Sequence, residues 1–184
     1  MSLDQMTCPE HGWFGHFGIH EAGHATAAIL LDFKFVEVSI NPGHDVYRQM
    51  MLGEEVVGAG VLMPGEPVEW VAPRPEDALV YLLAGSLAEA ELCGHYLPGG
   101  YEGDLKIWRL GSGRSEAQTD EVRPVLREGI ERAQTLLSEN RSALLRVYGM
   151  MVQRVPNDGR MHTGFDEPLL LSHDEVHSAV IAKP

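Results

Sequence analysis

The feature that most constrains this chain is a pair of histidines, His20 and His24, four residues apart. A helical turn takes about 3.6 residues, so both imidazoles would lie on one face of a helix and could bind one metal ion. Glu21 follows the first histidine, and its carboxylate can reach a water molecule in an open position of that metal. This is the H-E-x-x-H pattern of zinc hydrolases, in which the glutamate is the general base. The alternative is a chance match on an amphipathic helix, in a chain with nine histidines.

The residues around this motif predict a helix from about Gly12 to Leu31, because residues 25–31 are mostly good helix formers without a proline. Gly23 lowers the helix propensity, so we expect a neighbouring backbone to approach it closely. His16 lies one turn before His20. We expect a surface or packing histidine, and the alternatives are a rival ligand or a residue that supports a ligand.

Composition limits the classes of protein that fit this chain. Its 184 residues, 44% of them apolar, predict a single domain over residues 1–184 with a sizeable core and a loose lead-in at residues 1–11. The formal charge of −13 argues against a nucleic-acid partner and is also an ordinary solubility feature. No apolar run is long enough to span a membrane, and we see no signal peptide. The two cysteines form no disulfide framework, which favours a reducing, cytoplasmic setting.

Three segments after the motif are predicted to be strands. Residues 33–40 alternate apolar and polar side chains, which predicts a half-buried strand. Residues 46–52 and 55–63 suggest a hairpin. Gly58 and Gly60 inside the second segment indicate a bulge, the close approach of a bound peptide, or a weak edge strand. The proline-rich residues 63–75 predict a loop.

The remainder of the chain is predicted to be largely helical. Residues 76–93 follow two prolines and precede Gly94, a suitable helix C-cap. Helical spacing of apolar residues then predicts a helix from near Asp120, a break at 138–140, a second helix, and a loop at 156–168. A capping box at Ser172 and Glu175 opens a terminal helix. These patterns predict a mainly α fold (α+β) with a small sheet near the zinc-motif helix.

The third metal ligand has two candidates. Glu89 falls near a stripe of small residues, where it could be a ligand, as in zinc peptidases with a downstream glutamate, or a half-exposed side chain. Asp104 follows the glycine-rich residues 97–103, where it would also suit a helix N-cap. Spacing alone favours a half-exposed side chain for Glu89 and the N-cap role for Asp104.

The order of these motifs resembles the peptidase domain of the FtsH family, the membrane-anchored, ATP-dependent zinc proteases. The match begins at His20-Glu21-Ala22-Gly23-His24, which is the family's form of the zinc motif. It extends over roughly residues 16–180. The further matching segments are residues 36–43, 58–64, 84–89, 103–105, 120–122, 140–141 and 172–176.

The resemblance implies a zincin-like domain that binds Zn²⁺ through His20, His24 and Asp104. Glu89 then becomes a residue that supports a ligand. Glu21 would activate a zinc-bound water, and the activity would be that of a zinc metalloendopeptidase acting on peptides or unfolded protein segments.

The chain also departs from the family. It contains no G-x-x-x-x-G-K-[ST] loop, so the family's ATPase module is absent from this sequence, and a separate ATPase is a possible partner. Two alternatives remain: a non-enzymatic peptide-binding or adaptor module that keeps the fold, and a metal hydrolase with a different substrate. Glu21 favours an enzyme, because a purely structural metal site has no use for a general base.

Overall fold

The computed structural model describes residues 12–40, 59–95, 100–114, 119–154 and 169–182. Within these ranges the chain forms seven helices and three short strands. In chain order they are α1 (Gly12–Leu30), β1 (Glu37–Ile40), β2 (Ala59–Leu62), α2 (Pro67–Val71), α3 (Pro75–Cys93), α4 (Gly100–Ser112), α5 (Thr119–Glu139), α6 (Arg141–Gln153), β3 (Leu169–Ser172) and α7 (His173–Ile181). The predicted mainly α fold with a small sheet is therefore confirmed.

The three strands form one antiparallel sheet in the order β2-β1-β3. Strand β1 begins at Glu37, four residues later than predicted, because Phe33 and Phe35 are buried in the core ahead of the ladder. Asp32, with a φ of 56°, turns the chain out of α1 just before them. The predicted strand at 46–52, the start of the predicted strand at 55–63, the loop at 156–168 and the lead-in at 1–11 lie outside the described residues.

Helices α1 and α3 pack against each other at very short range. A Cβ atom added at Gly23 would lie 2.4 Å from the carbonyl oxygen of Ala84 and 2.7 Å from the Cβ of Ala88. Gly23 is thus required by the close backbone approach that the sequence predicted. Both helices are almost entirely buried along this contact, which forms the centre of the apolar core.

The other helices surround this pair. Helix α3 ends at Gly94, whose φ of 74° is the left-handed cap conformation predicted for it. Helix α5 packs on α3 and helix α6 packs on α1, with Asn140 between them at the predicted break. Ser172 and Glu175 form the predicted capping box, in which the Ser172 N–H donates to the Glu175 carboxylate at 2.9 Å.

Two predictions about secondary structure are wrong. The predicted loop at 63–75 contains the short helix α2, which Pro67 can begin because a first-turn residue needs no N–H donor. Asp104 is not an N-cap, since α4 begins at Gly100 and contains it. Packing of Leu105 and of the fully buried Trp108 outweighs the low helix propensity of the glycines. The Trp108 indole N–H donates to the Pro75 carbonyl at 2.8 Å and ties α4 to α3.

Among the described helices, none combines the length and the apolar character that crossing a lipid bilayer requires.

Candidate metal centre

Three side chains from two helices converge at one point, and we call this group the metal centre: His20 and His24 of α1 and Asp104 of α4. One ligand atom from each lies within 4.8 Å of the other two. The Nε2 atoms of His20 and His24 are 2.9 Å apart. The Oδ2 atom of Asp104 lies 3.6 Å from the first and 3.5 Å from the second. The structure thus brings together all three predicted ligands.

Hydrogen bonds behind the two imidazoles fix which nitrogen faces the centre. The Nδ1–H of His20 donates to the Oε1 of Glu89 at 2.6 Å, and the Nδ1–H of His24 donates to the carbonyl oxygen of Tyr81 at 2.9 Å. An ionised carboxylate and a carbonyl accept but do not donate, so Nδ1 must carry the proton in both rings. The lone pair of each neutral imidazole is then on Nε2, the atom that points into the metal centre.

Gly85 of α3 forms the floor of the metal centre. A Cβ atom at this position would lie 2.5 Å from the Nε2 of His24 and 2.6 Å from the Nε2 of His20. Such distances are shorter than a van der Waals contact. A glycine here therefore leaves open the space in front of the two nitrogens.

The chemistry of these donors fits a zinc ion. Two imidazole nitrogens and one carboxylate oxygen are a ligand set of catalytic zinc, which keeps a further position open. The Oδ2 atom of Asp104 is buried and makes no hydrogen bond among the described residues. A buried polar oxygen without a donor is costly, and a bound cation would remove that cost.

The charges at the metal centre are strongly coupled. Burial by itself lowers the pKa of His20, but the nearby carboxylates of Asp104 and Glu89 outweigh it and raise the pKa to about 10. Burial alone would raise the pKa of Asp104, yet the imidazoles of His24 and His20 hold it well below its usual range. The metal centre therefore favours positive charge. When no cation is bound, protons on the imidazoles supply that charge.

Glu21, the predicted general base, lies beside the metal centre and is only 5% exposed. Its Oε2 atom is buried and has no hydrogen-bond partner among the described residues. Burial raises the pKa of this carboxyl, against the opposing effect of His20 and His24. A carboxylate with a free oxygen next to a metal position is well placed to take a proton from water.

The structure places Glu89 outside the metal centre. The expectation of a half-exposed side chain is wrong, because Glu89 is only 1% exposed. Its two oxygens lie behind His20, where Oε1 accepts from that ring and Oε2 lies 3.3 Å from the Nδ1 of His16. Among the described residues, Glu89 is not part of the group that could hold a metal. His16 is completely buried and also lies behind His20 rather than at the metal position.

A cleft of about 680 Å³ opens beside the metal centre. Apart from the metal-centre residues and Glu21, its wall is mostly apolar and comes from β2, α2, α3 and α4. The lining side chains include Val61, Leu62, Met63, Trp70, Tyr81, Ile107 and Leu110. Strand β2 is at the edge of the sheet as far as the described residues show, and Gly60 has open space at its Cβ position.

Tyr81 belongs to this site although the sequence analysis did not single it out. It precedes Gly85 by four residues, and Glu89 follows by another four, so all three lie on one face of α3. The same spacing relates His16, His20 and His24 on α1. The two matching stripes are a sequence signal, but it becomes informative only once α1 and α3 are known to pack together.

No protein-family model matches this chain, and the search of curated proteins found none that is significantly similar.

Proposed function

We propose that this protein is a zinc metalloendopeptidase that hydrolyses peptide bonds in peptides or unfolded protein segments. The observation that carries the proposal is the convergence of His20, His24 and Asp104 next to the buried carboxylate of Glu21, at the wall of an open cleft. The FtsH-like order of the motifs supports the same conclusion.

Zn²⁺ would be held by the Nε2 atoms of His20 and His24 and by the carboxylate of Asp104. When bound, it would supply Lewis-acid polarisation of the scissile carbonyl and lower the pKa of water. Glu89 and the Tyr81 carbonyl keep the two rings in the orientation that this binding needs.

Glu21 would carry the proton through the reaction. As a carboxylate, it accepts one proton from water while the water oxygen attacks the carbonyl carbon of the peptide. It then delivers that proton to the amide nitrogen as the C–N bond breaks, which gives a carboxylic acid and an amine. The buried environment that raises the pKa of Glu21 favours its holding the proton between these two steps.

The reaction also needs a hydrogen-bond donor for the negative charge that develops on the carbonyl oxygen. Tyr81 lines the cleft, and its ring centroid is 5.3 Å from that of His24. Burial and the charges of Glu21 and Asp104 raise its pKa, so that the phenol keeps its proton. Tyr81 is therefore our candidate for this donor.

The cleft accounts for the proposed substrate. A peptide could extend along β2 and pair with its edge, while apolar side chains contact Leu62 and Leu110, which are 53% and 70% exposed at the rim. Folded proteins have paired strands already and would have to unfold locally first. We place the reaction in the cytoplasm, with a separate ATPase as the partner that unfolds protein substrates.

The test uses a stable folded domain that carries a disordered tail, incubated with the zinc-loaded protein. We expect the wild-type protein to remove the tail and to leave the folded body intact. Glu21→Gln should lower the rate of tail cleavage by roughly 10²–10⁴-fold with its zinc content unchanged. Glu128→Gln, an exposed position on α5, is the matched control and should keep full activity.

The outcomes separate the alternatives. Activity that survives Glu21→Gln would remove Glu21 from the mechanism. If the wild-type protein binds zinc and the tail but leaves the tail uncut, the chain is a binding or adaptor module.

A further inference from the structure

Behind the metal centre lies a buried pair of polar side chains, His16 and Glu89, of which only Glu89 has a role in the proposed function. His16 is 0% exposed and Glu89 is 1% exposed. The Nδ1 of His16 is 3.3 Å from one oxygen of Glu89, and the other oxygen accepts from His20 at 2.6 Å. His16, Glu89 and His20 thus form a continuous path that ends at the metal-facing nitrogen.

We infer that His16 is a positioning residue of the metal centre, which acts through Glu89 on His20. The inference rests on the proposed metal centre but does not depend on peptide hydrolysis. Because a carboxylate only accepts, the Nδ1–H of His16 must be the donor to Glu89. This bond acts on the second oxygen of Glu89 and so contributes to the rotation of the carboxylate against which His20 is oriented.

A histidine at position 16 lowers the stability of the fold, which supports a functional role for His16. With its proton on Nδ1, the Nε2 of the neutral ring can only accept, and this atom is buried without a partner among the described residues. A buried polar atom left without a hydrogen bond costs about 1–3 kcal/mol. An apolar side chain of similar volume would avoid that cost if this position served only to pack α1 against α3.

The antiparallel course of the two helices explains how the path is built. Residues 16, 20 and 24 advance along α1, while their contacts move back along α3 from Glu89 to Gly85 and then to the Tyr81 carbonyl. His16 and His20 are both within reach of Glu89 because they are one turn apart. A single carboxylate can therefore receive both rings.

The experiment compares three substitutions of His16 by their zinc affinity, measured by competition with a chromophoric chelator. His16→Asn places an amide N–H near the position of Nδ1, His16→Gln places one near Nε2, and His16→Leu removes both donors. The thermal midpoint of each chelated protein reports folding separately from metal binding. His95→Ala is the control, because it removes the ring that packs on His16 at 4.9 Å between centroids.

We expect His16→Leu and His16→Gln to lose roughly tenfold in zinc affinity, and His16→Asn and His95→Ala to stay close to wild type. In a Glu89→Gln background, His16→Leu should cause little further loss, because both changes break one path. If His16→Leu does not fold, the zinc affinities of His16→Asn and His16→Gln still show whether the donor at the Nδ1 position matters.

Three results would overturn the inference. They are wild-type zinc affinity in His16→Leu, a better affinity in His16→Gln than in His16→Asn, and an equal loss in His95→Ala. The last would assign the effect to packing around His16 rather than to its hydrogen bond with Glu89.

Discussion

Replacing Gly85 by alanine should close the metal centre while leaving the fold in place. The added Cβ would lie 2.5 Å from the Nε2 of His24 and 2.6 Å from the Nε2 of His20. An ordinary contact begins near 3.4 Å. Each ring must therefore move by roughly 0.8–0.9 Å, whereas metal–ligand distances tolerate only about 0.2 Å.

The energies of the two effects can be separated. Alanine in a helix interior is favoured over glycine by about 1 kcal/mol, which offsets part of the strain in the metal-free protein. Zinc at a thousandfold excess over its dissociation constant stabilises the wild-type fold by about 4 kcal/mol. For a chain of this size, chelation should then lower the thermal midpoint of the wild type by roughly 8–16 °C.

The assay measures the zinc content after dialysis and the thermal midpoint with and without a chelator. We expect Gly85→Ala to bind little zinc and to change its midpoint by less than about 2 °C on chelation. Gly149→Ala in α6 is the matched control, because a Cβ there meets nothing within 4 Å. This control should keep zinc and gain about 1 kcal/mol in stability.

Wild-type zinc content in Gly85→Ala, together with a chelator effect as large as that of the wild type, would show that zinc binding does not need the space that Gly85 leaves open. The metal would then bind somewhere other than in front of the two histidines.

Three further predictions concern packing, pH and catalysis. Gly23→Ala places a Cβ 2.4 Å from a backbone carbonyl of α3. Denaturant unfolding should show that the free energy of unfolding falls by about 1–3 kcal/mol, and an unchanged midpoint would contradict the close packing. Burial alone raises the pKa of Asp77, but Arg132 and Arg74 lower it overall. The ionised Asp77 therefore stabilises the fold at pH values above its unfolded pKa, which is near 4. This stabilisation is lost as the pH falls through the lower pKa of the folded state. The difference in thermal midpoint between wild type and Asp77→Asn should therefore shrink between pH 6 and about pH 2.5, and a constant difference would exclude the linkage. Tyr81→Phe should lower kcat by roughly 10²–10³-fold with zinc content unchanged, and an unchanged kcat would exclude the hydroxyl as a donor.

The local part of the metal centre could be predicted from sequence because it depends on helix periodicity. His20 and His24 are four residues apart and Glu21 is next to the first. Predicting that these three side chains lie together required only that α1 is a helix. The close approach at Gly23 followed from a low-propensity residue inside a strong helix pattern. The boundaries of α3 followed from its proline and glycine caps.

Residues brought in from other elements could not be derived in this way. Asp104 was assigned through a resemblance, and its local sequence suggested a loop and a cap, because the packing of Trp108 that makes α4 helical is a tertiary effect. The roles of Glu89, Tyr81 and Gly85 depend on how α3 is rotated against α1. No spacing within one helix specifies that rotation.

The outer edge of β2, which none of the described strands covers, has a consequence for how copies of this protein behave in solution. An unpaired strand edge binds other extended chains without regard to their identity, including the same strand of another copy. The formal charge of −13 opposes such encounters between copies, since like-charged molecules repel at long range. The same field attracts cationic unfolded segments, and salt screens it over about 8–10 Å. Added salt should therefore slow the capture of basic peptides, because it screens their attraction to the protein. It should also promote self-association, because it screens the repulsion between copies.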